Sequence, residues 1–482
     1  MFERRLAPVE LLSESSLLAL ERGWMRLVSE IGIQFQHEGV LERFRKAGQR
    51  VEDDVVKFDP EWVLEQVRKA PSSFELRGRG EGTSLRFAAD RMAFCACQSA
   101  PFVRDAGVRR NATVDDFRNF VRLTQVIDEL DTPGYPICEP ADLDVETRHL
   151  DLQLLLATET DKPYAAAQFD PVGCSDSIAM SAIVHGGLDV LRESPALFGV
   201  INANSPLRFD GRMLDSLLVL AEARQVVVVT PFILMGAMGP VSVAASLAQQ
   251  TAEALTGIAL AQLVSPGCPV VMGSFVSHSN MQSGSPGFGG PESAIGLLAS
   301  GQIARRYGLL WRSGGGGLTS SQTSDAQAAF ESLNTMLPAF LAGANLVMHT
   351  AGWLDSGLVA CYEKFLLDVE ALRILQLELV PLEINDETLA FGAHEEVGHG
   401  GYFFGAAHTL ERFRECFYRP MIFTTDGFDR WRNNGAMEAE ARAGARWRAL
   451  IEDYEAPPLD DAIREELAEY VERRRPVLIA NA

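Results

Sequence analysis

The chain has 482 residues, 47% of them hydrophobic and 22% charged, and these ordinary values exclude a disordered or fibrous protein. Its 43 basic and 65 acidic residues give a formal net charge of −22 with no long basic run. Such a surface repels phosphate backbones and anionic membranes, so we expect neither nucleic acid nor a membrane as a partner. The length exceeds that of a usual single domain, but an α/β barrel with additions accommodates it.

Residues 1–90 are predicted to form an N-terminal helical extension. Apolar residues recur every three or four positions, which is typical of one buried helix face: Leu17, Leu20, Trp24, Leu27 and Ile31. Gly32 is suited to end this helix, and the order Asp59, Pro60, Glu61 predicts the start of another.

Residues 91–380 alternate short apolar runs with longer helical stretches. The eight candidate strands are Ala93 to Cys97, Tyr135 to Cys138, Tyr164 to Ala167, Phe198 to Ile201, Val226 to Leu234, Pro269 to Gly273, Leu309 to Trp311 and Asn345 to Met348. Continuous apolar strands alternating with helices favour a parallel sheet covered on both faces. Eight such units predict an α/β fold of the (β/α)8 TIM-barrel type. An open doubly wound sheet is the alternative, but no GxGxxG follows an early strand.

The carboxyl ends of barrel strands carry the active site in this architecture. Polar residues or glycines recur at those ends: Gln98, Ser99, Glu139, Gln168, Asp170, Asn202, Asn204, Gly236, Ser274, the run Gly314–Gly317, and His349. Residues 381–482 are predicted as a lid loop, with Tyr402 and Phe404 folding back, followed by helices packed on the barrel.

Several common catalytic patterns are absent, namely a P-loop, HExxH, GxSxG and CxxC. His394 and His399 are five residues apart, which does not place both on one helix face, so we expect no metal site. The seven cysteines show no zinc-type pairing and are expected as buried thiols in a reducing compartment. The N-terminus has no apolar signal core, and we therefore expect a cytoplasmic protein.

Aromatic residues are frequent in and near the predicted rim loops: Trp311, Trp353, Tyr362, Tyr402 and Phe404. Aromatic faces attract quaternary ammonium groups, so these rings predict a cation site, with ordinary core packing as the alternative. The four glycines after Trp311 predict a close backbone approach, either to a ligand or at a sharp turn.

The order of segments resembles the trimethylamine methyltransferase superfamily, and within it the members without pyrrolysine, which are similar to glycine betaine corrinoid methyltransferases. The segments that carry the resemblance are EIGIQFQHEGVLERFRKAG, APSSFELRGR, ETDKPY, INANSPLRFD, WRSGGGGLTSSQTSDAQAAFES, LAGANLVMHTAGWLDSGL and GGYFFGAAHTLERFRE.

The resemblance implies a (β/α)8 barrel that moves a methyl group from a quaternary amine, such as glycine betaine, to the Co(I) of a cognate corrinoid protein. The corrinoid belongs to that partner and is not tightly bound to this chain, which we expect to be a homo-oligomer acting in one-carbon metabolism. Only the twenty ordinary residues occur here, so a betaine is expected as the donor instead of trimethylamine.

The resemblance also suggests roles for single residues. We expect the cationic head of the betaine among Trp311, Trp353, Tyr362, Tyr402 and Phe404, and its carboxylate on the backbone N–H groups of Gly314, Gly315 and Gly316. Gln168 and Asn202 are further candidate substrate contacts at strand ends. His349 would orient the substrate or contact the corrinoid, and Glu139 would balance the cation or contact the cofactor.

Four alternatives stay open at this point. His349 could instead bond a backbone carbonyl, and Glu139 could instead pair with an arginine. The glycine run could bind phosphate, which is the usual role of late barrel loops, and would then indicate a lyase or isomerase. The barrel could also bind a betaine or a corrinoid partner without catalysing transfer.

Overall fold

The apolar segments in the middle of the chain form the parallel strands of a barrel in this computed structural model, which describes residues 1–481. Val226–Met235 is the longest strand, and it lies between Leu197–Ala203 and Val270–Gly273. All barrel strands pair in parallel, and almost all of their side chains are buried. Such continuous burial follows from helices covering the sheet.

The barrel closes between its last and first strands. Leu346 and Val347 pair in parallel with Ala93 and Phe94. The second barrel position, residues 131–138, is not a regular strand, because Pro133 and Pro136 have no N–H to donate. Single backbone bonds replace the ladder there: the Asp131 N–H donates to the Phe94 carbonyl oxygen over 2.8 Å, and the Ala165 N–H donates to that of Gly134 over 3.4 Å.

The strands of the described chain occupy twenty short segments. They are Phe2–Glu3, Ile33–Phe35, Arg50–Glu52, Val55–Lys57, Phe74–Leu76, Leu85–Phe87, Arg91–Phe94, Phe102–Asp105, Val108–Asn111, Tyr164–Ala165, Leu197–Ala203, Arg208–Phe209, Val226–Met235, Val270–Gly273, Phe275–Ser279, Pro286–Gly287, Trp311–Ser313, Leu346–Val347, Trp353–Leu354 and Val359–Cys361. Of the eight predicted barrel strands, seven are found, with shifted ends, and the second is the irregular segment just described.

The α-helices are Glu14–Arg26, Glu38–Lys46, Pro60–Val67, Val114–Val126, Arg148–Glu159, Pro171–His185, Leu188–Glu193, Gly211–Glu222, Val243–Val264, Pro291–Arg306, Ala326–Leu341, Tyr362–Glu378, Asp386–Leu389, Phe391–Val397, Ala407–Cys416, Phe428–Asn433, Ala439–Glu452 and Asp461–Asn481. A π-helical turn spans Leu27–Ile31, and 3-10 turns span Asp355–Gly357 and Phe403–Gly405. No helix among residues 1–481 combines the length and apolar character needed to cross a bilayer.

Residues 1–90 are less helical than predicted. The helix start predicted at Asp59 is confirmed, because its side chain caps Pro60–Val67, and Ser13 caps Glu14–Arg26 in the same way. Six short strands are also present in this region, and three of them form a sheet with Arg208–Phe209. Strands as short as Ile33–Phe35 leave too little alternation in the sequence to be recognised.

The helix Val243–Val264 is buried on nearly every side, which explains its uniformly apolar sequence. Glu14–Arg26 and Pro60–Val67 pack on the face that turns away from the barrel. The contact with the first of these is close, since a Cβ added at Gly23 would lie 3.3 Å from that of Ala248. The N-terminal extension therefore covers a barrel helix that would otherwise expose an apolar face.

The last helix is held on the barrel by a buried carboxylate. Asp176 accepts hydrogen bonds from His149 at 2.9 Å, from the Tyr470 hydroxyl at 2.6 Å and from Arg474 at 2.7 Å. Burial opposes ionisation of Asp176, but these bonds outweigh it and lower the pKa of the carboxyl. The last helix, Asp461–Asn481, thus packs on the barrel, as the sequence predicts for the C-terminal helices.

Candidate active site

A cavity of about 280 Å3 lies at the carboxyl ends of the barrel strands. It opens to solvent beside Phe169, whose side chain is 37% exposed. Its lining combines aromatic and uncharged polar side chains with one arginine: Gln98, Ser99, Tyr135, Gln168, Phe169, Val200, Asn202, Thr230, Phe232, Phe275, Arg312, Met348, His349 and Trp353. This is the composition expected of a pocket for a small, partly apolar molecule.

Neighbouring strands place three polar side chains, those of Asn202, Thr230 and Arg312, at one level of the barrel. In the strand pairing, Asn202 lies beside Thr230, and Gly273 lies beside Arg312. Gly273 provides the necessary space, because a Cβ there would meet the Thr230 hydroxyl oxygen at 2.0 Å. This hydroxyl has no hydrogen-bond partner in the described chain, although it is buried. The level therefore offers unused hydrogen-bonding capacity to a ligand.

Arg312 is a buried cation without an acidic partner. One guanidinium nitrogen donates to the Ser274 carbonyl oxygen over 3.1 Å and another approaches His349 Nε2 at 3.3 Å, while Nε has no partner. No carboxylate within residues 1–481 forms an ion pair with it. Burial lowers the pKa of Arg312 to about 10, so the side chain is still charged at neutral pH. A charge in this position favours an anionic ligand as its partner.

His349 is held as a neutral ring in a strained backbone conformation. Its φ of 55° is in the left-handed region, which is uncommon outside glycine and is often found at functional sites. Burial and the nearby Arg312 charge hold the pKa of His349 well below its usual range. Because a guanidinium only donates, Nε2 is the acceptor and Nδ1 carries the proton, which has no partner among the described residues.

Trp353 fixes the plane of the histidine ring. The two rings stack with centroids 3.7 Å apart and planes 10° apart. The indole N–H of Trp353 donates to the Gln98 carbonyl oxygen over 3.0 Å, which sets the orientation of the pair. His349 thus neither rotates freely nor adds charge to the cavity.

Aromatic faces form much of the remaining wall. Phe232 and Phe275 stack at 4.4 Å, and Tyr135 and Phe169 also line the cavity. No aspartate or glutamate lines this cavity. A cation bound here would therefore contact ring faces and not a carboxylate.

The four glycines after Ser313 serve close packing of the chain on itself. A Cβ at Gly314 would lie 2.7 Å from the Ser274 carbonyl oxygen, and one at Gly317 would lie 2.7 Å from that of Thr350. The N–H groups of Gly315, Gly316 and Gly317 already donate to Ser313 Oγ and to the carbonyl oxygens of Met348 and His349. These three groups are not available to a ligand.

The cavity brings together four of the residues expected at the site, namely Gln168, Asn202, His349 and Trp353. Gln168 donates to the Tyr135 carbonyl oxygen over 3.4 Å, and its own side-chain oxygen has no partner in the described chain. His349 contacts Arg312 instead of the backbone carbonyl considered from the sequence.

Two aromatic residues expected at the site lie in the core instead. Trp311 is buried and donates its indole N–H to Ser274 Oγ over 2.9 Å. Tyr362 stacks on Phe120 and donates its hydroxyl to Asp116 over 2.9 Å. Neither lines the cavity. Adjacent residues of a strand point to opposite faces, and Arg312 takes the inward position after Trp311. Tyr362 begins the helix Tyr362–Glu378 outside the barrel strands.

Tyr402 and Phe404 lie on the surface, with 84% and 86% of their side chains exposed, and neither contributes to the cavity wall. Glu139 lies in an adjoining cavity of about 480 Å3, where Arg148 binds it at 2.6 Å. Burial raises the pKa of Glu139, and Arg148 opposes this rise. Within residues 1–481 no group of three or more histidine, cysteine, aspartate or glutamate side chains is arranged to hold a metal ion.

Sequence reasoning missed Arg312, Thr230 and Phe232. Arg312 had a usable signal, because a single charged residue follows the apolar run Leu309 to Trp311 within a strand that ought to be buried. The other two had none, since they are ordinary members of an apolar strand.

Comparison with known proteins decides the family. The model of the family described as trimethylamine methyltransferase (MTTB) matches residues 1–478. The chain belongs to this family. The resemblance stated from the sequence is thereby confirmed.

Curated relatives extend over nearly the whole chain. A glycine betaine methyltransferase of Desulfitobacterium hafniense (strain Y51) is 36% identical over 470 residues, which cover 97% of this chain and 98% of that protein. A proline betaine:corrinoid methyltransferase of Eubacterium limosum is 28% identical, covering 86% of this chain and 85% of that protein. A trimethylamine methyltransferase of Methanosarcina barkeri is 24% identical, covering 96% and 95%.

Among solved structures, the monomethylamine methyltransferase of Methanosarcina barkeri has a TM-score of 0.53 at 10% identity, covering 91% of this chain and 86% of that one. Its hydroxylamine complex gives the same TM-score at 11% identity. At these identities the likeness concerns the fold alone, and it confirms the predicted barrel class.

Proposed function

We propose that this protein transfers a methyl group from a betaine, a quaternary ammonium that also carries a carboxylate, to the Co(I) of a corrinoid held by a partner protein. Relatives named for glycine betaine and for proline betaine support this class of substrate. Glycine betaine is the first candidate, because the relative named for it is 36% identical to this chain.

The single observation that carries the proposal is the unpaired Arg312. A carboxylate bound to its guanidinium would replace the missing counter-charge and take up the N–H at Nε, which has no partner in the described chain. A simple quaternary amine would leave this charge uncompensated and would add a second positive charge nearby. The arginine therefore selects a zwitterion over a bare cation.

This arrangement also orients the donor. Arg312 is fully buried, whereas Phe169 marks the open side of the cavity. With its carboxylate on Arg312, a betaine directs its ammonium head outward between the rings of Phe232, Phe275 and Trp353. The neutral state of His349 matters here, because an imidazolium at this position would repel the ammonium.

The cavity is far smaller than a corrin macrocycle, which agrees with a corrinoid that stays on its own protein and meets the substrate at the mouth. A Co(I) corrinoid supplies the nucleophile for the methyl group. The protein's own contribution is to hold the donor so that one N–CH3 bond faces the opening, and to exclude water around it. The amine that leaves is neutral, so the positive charge on nitrogen disappears during the transfer.

Glu139 and Arg148 are proposed to face the corrinoid protein and not the substrate. Their cavity shares Tyr135 and Phe169 with the substrate cavity, so the two sites are continuous. Because Glu139 already forms an ion pair with Arg148, its carboxylate is not needed to balance the charge of the ammonium.

The phosphate alternative has little support. A phosphate ester brings two negative charges, whereas the cavity lining supplies one cation. The N–H groups of Gly315, Gly316 and Gly317 are used within the chain, so the loop does not form an anion cradle from them.

The experiment mixes the purified protein with chemically reduced Co(I) cobalamin and, in separate reactions, with glycine betaine and proline betaine. We expect the Co(I) absorbance to fall with at least one betaine, and the corresponding demethylated amino acid to appear by mass spectrometry. Titration calorimetry with glycerol phosphate serves as the control and is expected to give no heat of binding. Binding of the phosphate ester without loss of Co(I) would favour the lyase or isomerase alternative and contradict the proposal.

A further inference from the structure

An unusual share of the exposed apolar surface belongs to one segment, residues 382–437, which we name the apolar arm. It forms about one ninth of the chain but carries thirteen of the 33 large hydrophobic side chains exposed in the described residues. The thirteen are Leu382, Ile384, Leu389, Phe391, Tyr402, Phe403, Phe404, Leu410, Phe413, Phe417, Phe423, Phe428 and Met437. Single exposed apolar residues need no explanation, but a cluster of this size does.

The arm has almost no core of its own. Only Ala393, Ala406 and Ile422 are buried among its 56 residues. Its main attachment is to Glu370, which accepts hydrogen bonds from the Tyr418 hydroxyl and from the N–H of Ile422. Four short helices with their apolar faces in water are unstable alone, so another surface has to cover them.

The arm does not close the substrate cavity of its own chain. None of its residues lines that cavity. The arm begins after Val380 and Pro381, which line a cavity together with Met1 and Asp131. Asp131 is the first residue of the second barrel position, so the arm leaves the barrel at the end where the strands begin. A corrinoid protein has to bring its cobalt to the opposite side, where the strands end.

We propose that the apolar arm is the interface between two copies of this chain. Eight of the thirteen residues are aromatic, and buried aromatic side chains contribute about 150–250 Å2 each. At their present exposure these eight rings offer on the order of 1,000 Å2 of apolar surface, whereas a stable complex needs about 800 Å2 from each partner. The arm thus meets the size of a specific, stable interface on its own.

The apolar character of the arm distinguishes a second copy from the corrinoid protein. A methyl acceptor has to bind and leave in every cycle, and such transient contacts are smaller and more polar. A surface whose burial stabilises the fold belongs to a partner that stays. This inference does not depend on the proposed reaction.

The test is the molar mass in solution, measured by light scattering at several protein concentrations. We expect the native chain at twice 52.7 kDa or a higher multiple. The double variant Phe391→Glu/Phe404→Glu is expected to shift to a single chain, because both residues are mostly exposed within one chain, at 70% and 86%, and contribute little to its own packing. Phe330→Glu is the matched control, since Phe330 is 78% exposed on the barrel helix Ala326–Leu341 and should leave the mass unchanged.

A native chain of 52.7 kDa at all concentrations would overturn the proposal. So would a multimer whose mass the double variant leaves unchanged, because the interface would then lie elsewhere. If the double variant keeps the native mass but loses methyl transfer to the corrinoid protein while retaining transfer to free Co(I) cobalamin, the arm binds that protein and the inference is wrong.

Discussion

Arg312 places a positive charge inside the barrel, where burial removes its hydration and no carboxylate of the described residues compensates. This loss of hydration disfavours the charged form, and burial thus lowers the pKa of Arg312 to about 10. Replacing an unpaired buried ion with an apolar side chain of similar size is often neutral or stabilising. The residue is thus explained by binding and not by folding.

Arg312→Met is therefore expected to keep or raise the melting temperature while it weakens betaine binding. Loss of a charge-assisted pair should cost about 2–4 kcal/mol in the binding free energy of glycine betaine. Calorimetry and thermal unfolding of the same preparation measure both effects. Choline, which has no carboxylate, is the control ligand and should bind the variant no more weakly than the native protein. A strongly lowered melting temperature would indicate a structural role for Arg312.

The pH dependence of binding provides a second test at this residue. The charged guanidinium is the form that binds an anion, and the pKa of about 10 in the free protein means that this form prevails at neutral and mildly alkaline pH. The affinity for glycine betaine should be flat there and fall as the pH rises through about 10. Calorimetry between pH 7 and 11 should show this decline in the native protein and a flat profile in Arg312→Met. A decline of equal size in both proteins would assign it to another group.

At the scale of elements, the sequence allowed the barrel and most of its strands to be predicted, because runs such as Val226–Met235 are continuously apolar. The second barrel position could not be assigned correctly, since its bonds are single bridges around two prolines. The sequence also did not allow the orientation of the Trp311 side chain to be predicted. Whether Trp311 or Arg312 faces the cavity depends on strand register, and a shift of one residue exchanges their positions.

The glycine run is the element whose role changed most. It was interpreted as a seat for the carboxylate, but its glycines allow the loops after the seventh and eighth strands to pack closely. Gly317→Ala should therefore destabilise the protein by about 1–3 kcal/mol, because its Cβ would lie 2.7 Å from Asp368 Oδ2. Gly427→Ala, with no atom within 4 Å of its added Cβ, is the control and should change stability little. Urea unfolding compares the two, and equal stability would contradict the packing role.

At the scale of the whole molecule, buried carboxylates attach the C-terminal region to the barrel. Asp176 binds the last helix through Tyr470 and Arg474, and this contact joins residues almost 300 positions apart, with separations of 294 and 298. Contacts of this separation leave no trace in local sequence patterns, which is why helices packed on the barrel were predicted but not the residues that attach them.

Asp176→Ala is expected to release this helix without opening the barrel. Loss of three hydrogen bonds to a buried carboxylate should cost about 2–4 kcal/mol. Limited proteolysis should then cut the chain before Asp461, and the rate of methyl transfer should fall by less than the resistance to protease. Glu466→Ala, an exposed change on the same helix, is the matched control. Equal resistance of Asp176→Ala and the control to protease would show that the apolar contacts of Leu467 and Val471 suffice.

The central claim is that a carboxylate on Arg312 positions a quaternary ammonium for transfer of its methyl group to Co(I). The most direct measurement compares glycine betaine with tetramethylammonium as methyl donors to Co(I) cobalamin, following the Co(I) absorbance with native protein and Arg312→Met. We predict that native protein prefers glycine betaine by at least about tenfold, equivalent to about 1.4 kcal/mol, and that the variant loses this preference. Equal rates with both donors in native protein, or no loss of Co(I) with any betaine, would contradict the account.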